Sequence, residues 1–523
     1  MHVSATIALL VPLATCTVTP GAQRAETVVY ASGADLQSIN PLFTVHPLAK
    51  AVQKHVLFMT LASYDRALRP VPRLATWEWH DGRRALGLSL RGDVVWHDGV
   101  PTTAADVRWT LEMARHPRVA YPRAADLEQV EDVVVHDSLT LTIRFDRPQP
   151  QFPDVLTDLA ILPRHQLADV EPGALRTAPF NAAPIGNGPF TFVDYRPNQR
   201  WVFERQAGFP QALGAPAIAR FVIAVVDEPA TKLAALTSGE LDFAGIAPAH
   251  AAFVDDDPRL ETVDYPVMFV YALVWNLRRA PFDDPAVRRA LTMALDRELI
   301  VEAYLYGFGT LADGPVPPEH PWFVPVERVP FDTAGASRLL HEAGWTRGSD
   351  GVRTKDGVRL AFDLLTVGSG TNALEQMVQA QLGRVGADVS IHQRELTSFL
   401  ALAQGADRDF DALVTGIPGD LALSYARAMF TGRDPGPLAY PGYESVAFDG
   451  AMDAVRMAAT PAELAAAWQR AQRVLARDLP TAWLYHARGL QGKTRRIRAA
   501  PPDLRGELAG ITEWTVAPEE ASQ

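Results

Sequence analysis

The sequence predicts an α/β fold built on an open sheet, and three observations predict it. Helix and strand patterns alternate through the second half. Asp332 to Gly344 reads as helix, Val358 to Val367 as strand and Asn372 to Val385 as helix, and Ala387 to Gln393 and Phe410 to Thr415 read as further strands. Phe221 to Val226 is a continuous apolar run suited to a buried strand; a helical pattern to Gly239 and a short strand from Glu240 to Phe243 follow it. Leu86 to Arg115 joins an alternating strand to a capped helix. In open α/β sheets, ligands bind beyond the carboxyl ends of the strands.

Composition bounds the function classes. The 523 residues carry a net charge of −12, which argues against nucleic acid or an anionic membrane surface as partner. Lys50, Lys54, Lys232, Lys355 and Lys493 are the only lysines. A single cysteine excludes an internal disulfide and a Cys-based zinc site. There is no GxSxG, GxxxxGK[ST] or HExxH, and no GxGxxG placed after a strand. The 13 histidines are scattered without metal-ligand spacing, so no metal or cofactor is expected.

Taken in order, Ala5 to Val18 is an apolar run too short to span a bilayer as a helix and reads as the core of a secretory signal over residues 1–25. Leu13-Ala14-Thr15-Cys16 resembles a lipobox, which implies Cys16 as a lipid-bearing N-terminus, although Thr15 replaces the usual Gly, Ala or Ser and no basic residue precedes the run. Cleavage near Ala22 to Ala25 is the alternative. Thr27 to Ala31 is the first strand of the exported chain, and Ala49 to Leu61 is helical in pattern, with Val52, Val56 and Met59 on one face.

In the opening stretch, Leu86, Leu88 and Leu90 alternate, and Val94 to Trp96 extends the strand to a turn at His97-Asp98-Gly99. Thr103 and Asp106 stand at capping-box spacing for a helix whose buried stripe is Val107, Leu111 and Ala114. Adjacent His97 and Asp98 point different ways from such a turn. They read as structural, with Asp98 capping it, rather than as a catalytic dyad. Ser138 to Phe145 alternates as a strand, and Phe190, Phe192, Trp201 and Phe203 mark a strand pair. Val267 to Asn276 is an apolar strand. Asp284 then caps a helix with Pro285 at its first position and Val287, Leu291 and Leu295 inward. Arg288 and Arg289 read as a solvated or salt-bridged face of that helix rather than an anion site.

Several of these stretches share one resemblance. Ser38-Ile39-Asn40-Pro41, Tyr64-Asp65 with Leu74-Ala75 and Trp77, Trp96-His97-Asp98-Gly99, Gly186-Asn187-Gly188-Pro189-Phe190, the run Pro281 to Leu291 and Leu479 to His486 occur in order. They resemble the signatures of the family 5 extracytoplasmic solute-binding proteins, which deliver peptides, nickel chelates and related solutes to ABC importers. The resemblance covers roughly residues 27–515. It implies a two-lobed periplasmic-binding-protein-like (type II) fold with an extra domain, three domains in all. The expected division is 26–57, 185–268 and 491–523 for a discontinuous first domain, 58–184 for the second and 269–490 for the second lobe. It also implies a monomer without enzymatic activity, a periplasmic location, a small-molecule or peptide ligand and permease subunits as partners. A metal chelate, an opine or a glycoside is the alternative ligand, and a sensory or chaperone-like receptor the alternative role.

Thr415-Gly416-Ile417-Pro418-Gly419-Asp420 matches the segment Trp-x-x-Asp in which peptide-binding relatives hold the ligand's α-ammonium group. Carried over, Asp420 is the anchoring carboxylate, with Ile417 in the aromatic's place and Gly419 beside it. Capping of a helix over Leu421 to Phe430 is a second, compatible role for Asp420. The D-P-D that usually follows is replaced by Leu421-Ala422-Leu423-Ser424. By the same resemblance Val45, His46 and Tyr121 are cleft candidates.

Overall fold

Two long antiparallel strands, Leu260–Trp275 and Thr481–Thr494, carry the architecture of the computed structural model. It describes residues 24–517, apart from 25, 37, 45, 369, 406 and 434, so the signal segment, Cys16 and Val45 lie outside the described residues. One sheet runs through both long strands. On one side follow Phe243–Gly245, Thr27–Ser32, Arg220–Val225, Arg200–Arg205 and Phe190–Arg196; on the other follow Ala412–Pro418, Ala361–Val367 and Asp388–Arg394. The ladder between the two long strands slips partway along, and again between Tyr271 and Ala272. Pro266 pairs with Arg488 and Val270 with His486, so Val267, Met268 and Phe269 face Ala487 alone. A bulge of this kind bends the strand and ends regular pairing, which is what a hinge needs.

Burial follows from the strand patterns. In the second lobe Val270, Ala272 and Val274 bury on one face, with Leu413 and Ile417, while Leu273 and Trp275 bury on the other, with Val414 and Leu364. Both faces are covered, which accounts for the unbroken apolar run in place of alternation.

The stretch Leu86 to Arg115 contributes to an antiparallel sheet ordered Ala75–His80, Ala85–Leu90, Thr140–Phe145 and Val130–Val135, separate from the main sheet. The helix Ala104–Arg115 starts on the predicted capping box, Thr103 with Asp106. Trp96 is fully buried, and Gly99 takes a positive φ of 88°. Val95 makes only an isolated bridge to Pro101, so the strand predicted through Val94 to Trp96 is reduced to that single bridge ahead of the turn at His97-Asp98. His97 Nε2 donates to the Gly188 carbonyl at 3.1 Å, and Nδ1 accepts from the Gly186 N–H at 3.2 Å. Burial lowers its pKa to about 4, so the ring stays neutral in this donor–acceptor role. Asp98 points elsewhere: it accepts from the Val100 N–H and pairs with His165 at 2.7 Å. The pair is structural.

Other elements are corrected. The helix expected over Ala49 to Leu61 is Pro47–Val52 continued by a π turn, Gln53–Leu57, and stops there. The strand expected over Val358 to Val367 is two, Val358–Arg359 in a small three-stranded sheet and Ala361–Val367 in the main one. The strand expected to end at Thr415 runs Ala412–Pro418, and the helix expected from Leu421 is Ser424–Phe430. Arg288 is buried rather than solvated. It donates to the carbonyls of Phe282, Asp283, Asp478 and Leu479, tying the helix Pro285–Met293 to the start of a long strand. Arg289 is exposed.

Candidate functional site

The site begins where the strand Ala412–Pro418 ends against the hinge. The Gly419 N–H donates to the Met268 carbonyl, inside the register slip, at 2.6 Å. A Cβ on Gly419 would stand 3.1 Å from the Met268 methyl and 3.3 Å from its carbonyl oxygen. Glycine permits this approach, and it aims the next residue away from the sheet. Asp420 then turns the chain: one carboxylate oxygen accepts from the Ala422 N–H at 2.8 Å and the Ser424 N–H at 3.1 Å, and Leu423 takes a φ of 56° before the helix. Asp420 thus braces the turn before the helix rather than capping it: the N-cap position falls on Leu423, with no side-chain cap, because the helix starts three residues later than expected.

The electrostatics are unusual. Asp420 is half-buried and faces the second domain, where Asp154 and Arg123 act on it. Burial, assisted by Asp154, raises its pKa to about 6 against the pull of Arg123. Arg123 does not neutralise it, because its three nitrogens are engaged by Asp126 at 2.8 Å, Asp154 at 2.8 Å and Asp158 at 3.3 Å. Asp158 is further held by Lys50 at 2.9 Å and Lys54 at 3.1 Å. Among the described residues, no cationic nitrogen stands within 4.0 Å of Asp420. Arg427, on the helix after Asp420, reaches across the lobes to Asp126 at 3.6 Å.

The other predicted residues divide. Tyr121 is buried beside this ionic cluster, with a hydroxyl that has no hydrogen-bond partner and the Lys50 ammonium 5.9 Å from its ring centre. Burial raises its pKa. His46 caps the helix Pro47–Val52, Nδ1 accepting from the Ala49 N–H at 3.4 Å, and burial lowers its pKa. Ile417 is 7% exposed, is paired with Val270 and lies in the lobe core, so the structure does not bring it to the cleft. Its neighbour Gly416 has no room for a Cβ, which would lie 2.1 Å from the Phe269 ring. Sequence reasoning missed Arg123, Asp126, Asp154 and Asp158. One signal was present: two of only five lysines, four residues apart on one helix, converge on Asp158. Among the described residues no group of three or more His, Cys, Asp or Glu side chains is arranged to hold a metal ion, and no helix is long and apolar enough to cross a membrane.

A two-lobed α/β architecture with one sheet running through both lobes is the fold of a solute-binding protein, and the likeness to known proteins agrees. The family model of the bacterial extracellular solute-binding proteins, family 5, matches residues 69–433. The chain is 26% identical over 453 residues to the oligopeptide-binding protein AppA of Bacillus subtilis (strain 168), covering 84% of this chain and 82% of that one. Among solved structures it resembles AppA from Bacillus subtilis in complex with a nonapeptide (TM-score 0.78, 24% identity) and NikA from Brucella suis in complex with Fe(III)-EDTA (TM-score 0.83, 22% identity). Each likeness covers 94% of this chain and 99% of the other. The chain belongs to the family 5 bacterial extracellular solute-binding proteins.

Proposed function

We propose that the chain is the receptor of an ABC importer, that it captures a short peptide or related amine-bearing solute, and that Asp420 receives the ammonium group. The observation that carries this reading is the Asp420 carboxylate: half-buried, braced only by its own backbone and without a cation in ion-pair reach. Leaving such a charge unpaired costs free energy, and a ligand ammonium recovers it through a charge-assisted hydrogen bond of roughly 1.5–3 kcal/mol. The register slip at Met268 supplies the hinge, with the lobes dividing near residues 268 and 490. Closure over the solute shifts an open–closed equilibrium, and the permease reads the closed form. The solute leaves unchanged: the chain acts as a monomer and a binding protein, with no bond broken.

The experiment is native mass spectrometry of the protein purified gently from its host. A monomer carrying a mixture of short peptides is the expected result; a single non-peptide mass retained by an Asp420→Ala variant would overturn the amine anchor. The same spectra read the N-terminus. Export with lipidation predicts a chain beginning at a diacylglyceryl-modified Cys16, and an unmodified start near Ala22 to Ala25 would rule that anchor out.

A further inference from the structure

Ala422, in the turn after Asp420, lines a cavity of about 540 Å³ whose other walls come from residues 123–155 and 322–468. Its second-lobe floor is aromatic: the indoles of Trp322 and Trp468 lie nearly parallel, 10° apart with centroids at 6.1 Å. Its second-domain wall carries Pro148, Pro150, Phe152 and Pro153. That wall is rigid. Arg83 donates to the carbonyls of Gln149 and Pro150, and Phe152 packs on Trp77 at 4.5 Å.

The floor is pinned to the Asp420 turn. The Trp322 N–H donates to His320 Nδ1 at 3.1 Å, while His320 Nε2 donates to the carbonyl of Leu421, the residue after Asp420, at 3.2 Å. Gln472 donates to the Trp322 carbonyl at 2.7 Å. Ala422, whose N–H braces Asp420, also lines the cavity. Most of the charged side chains around it are paired, Arg433 with Asp453 at 2.7 Å and Asp449 at 3.8 Å, Arg456 with Asp453 and Arg427 with Asp126, while Glu128 stands exposed at the rim. Away from that rim the cations and carboxylates already hold one another, and a neutral ring meets the two tryptophans and the proline-rich wall, whose fixed positions lower the ordering cost of binding.

We propose that this cavity receives a neutral, apolar, ring-bearing part of the captured solute. The proposal rests on the reading that a solute binds between the lobes, and the test separates it from the amine anchor.

Saturation-transfer NMR and tryptophan fluorescence are applied with three probes: benzyl alcohol (a ring alone), phenylalanine amide (ring and ammonium) and alanine amide (ammonium without the ring). Benzyl alcohol is expected to bind, and phenylalanine amide to bind roughly tenfold or more tightly than alanine amide. Ala428→Phe fills the cavity from the helix Ser424–Phe430 and is expected to remove benzyl alcohol binding and most of that preference. Trp322→Leu, which stays apolar but removes the indole, is expected to reduce both. Absence of benzyl alcohol binding, or a preference untouched by either variant in folded protein, overturns the cavity proposal. Equal binding of phenylalanine amide to wild type and Asp420→Asn would instead overturn the amine anchor and leave the cavity standing.

Discussion

Asp420→Asn is expected to weaken binding of an amine-bearing solute roughly tenfold to a hundredfold while making the empty protein more stable at neutral pH. Asparagine keeps an oxygen to accept from the Ala422 and Ser424 N–H groups, so the turn survives. What it removes is a charge that burial and Asp154 disfavour. The sign follows from the raised pKa. Folding favours the protonated acid, so its stabilising contribution is whole below the ordinary carboxylate range near 4 and is lost as pH rises to about 6. Above pH 6 the empty wild type therefore pays about 1–3 kcal/mol that the variant does not. Affinity runs the other way: it is full above pH 6 and falls as the carboxylate protonates. Denaturant midpoints at pH 4 and pH 7.5 check the first half, and titrations across pH 5 to 8 check the second. Equal midpoints at pH 7.5 together with unchanged affinity would refute both.

Gly186→Ala is expected to destabilise the protein by about 3 kcal/mol or more, because among the described glycines it is here that an added Cβ would come nearest to another atom. The added Cβ would stand 1.9 Å from the Leu57 carbonyl oxygen and 2.9 Å from His97 Cε1. The first neighbour is backbone and cannot rotate away. The second belongs to the ring that binds Gly186 and Gly188. Gly208 is the control, because a Cβ there meets nothing within 4 Å and its φ is ordinary. The denaturation midpoint and soluble yield of Gly186→Ala should drop while those of Gly208→Ala stay near wild type. Equal midpoints for the two variants would show that the junction yields, contrary to the geometry.

These two sites also mark how far the sequence could be read. Starts of elements were legible because their causes are local: Thr103 with Asp106 and Asp284 before Pro285 each cap the helix their spacing predicts. Ends were less legible because their causes are distant. The helix after His46 stops at Leu57 where Gly186 and Gly188 press on it from some 130 residues away. The strand toward Asp420 outruns its apolar pattern because Phe269 to Trp275 pair with it and the Phe269 ring covers Gly416. Arg288 is polar yet buried, since four carbonyls from two segments surround its guanidinium. At the candidate site, one carboxylate in a strand-end loop was visible as a pattern. The arginine and three aspartates opposite it come from the extra domain, and no local spacing ties them to Asp420.

The most direct test of the account is calorimetric titration at pH 7.5 with matched short peptides, free and N-acetylated. Peptides with a free ammonium are expected to give measurable heats of binding and to lose at least about tenfold in affinity on acetylation, because the carboxylate then stays unpaired. Equal affinity for the free and acetylated forms would contradict it.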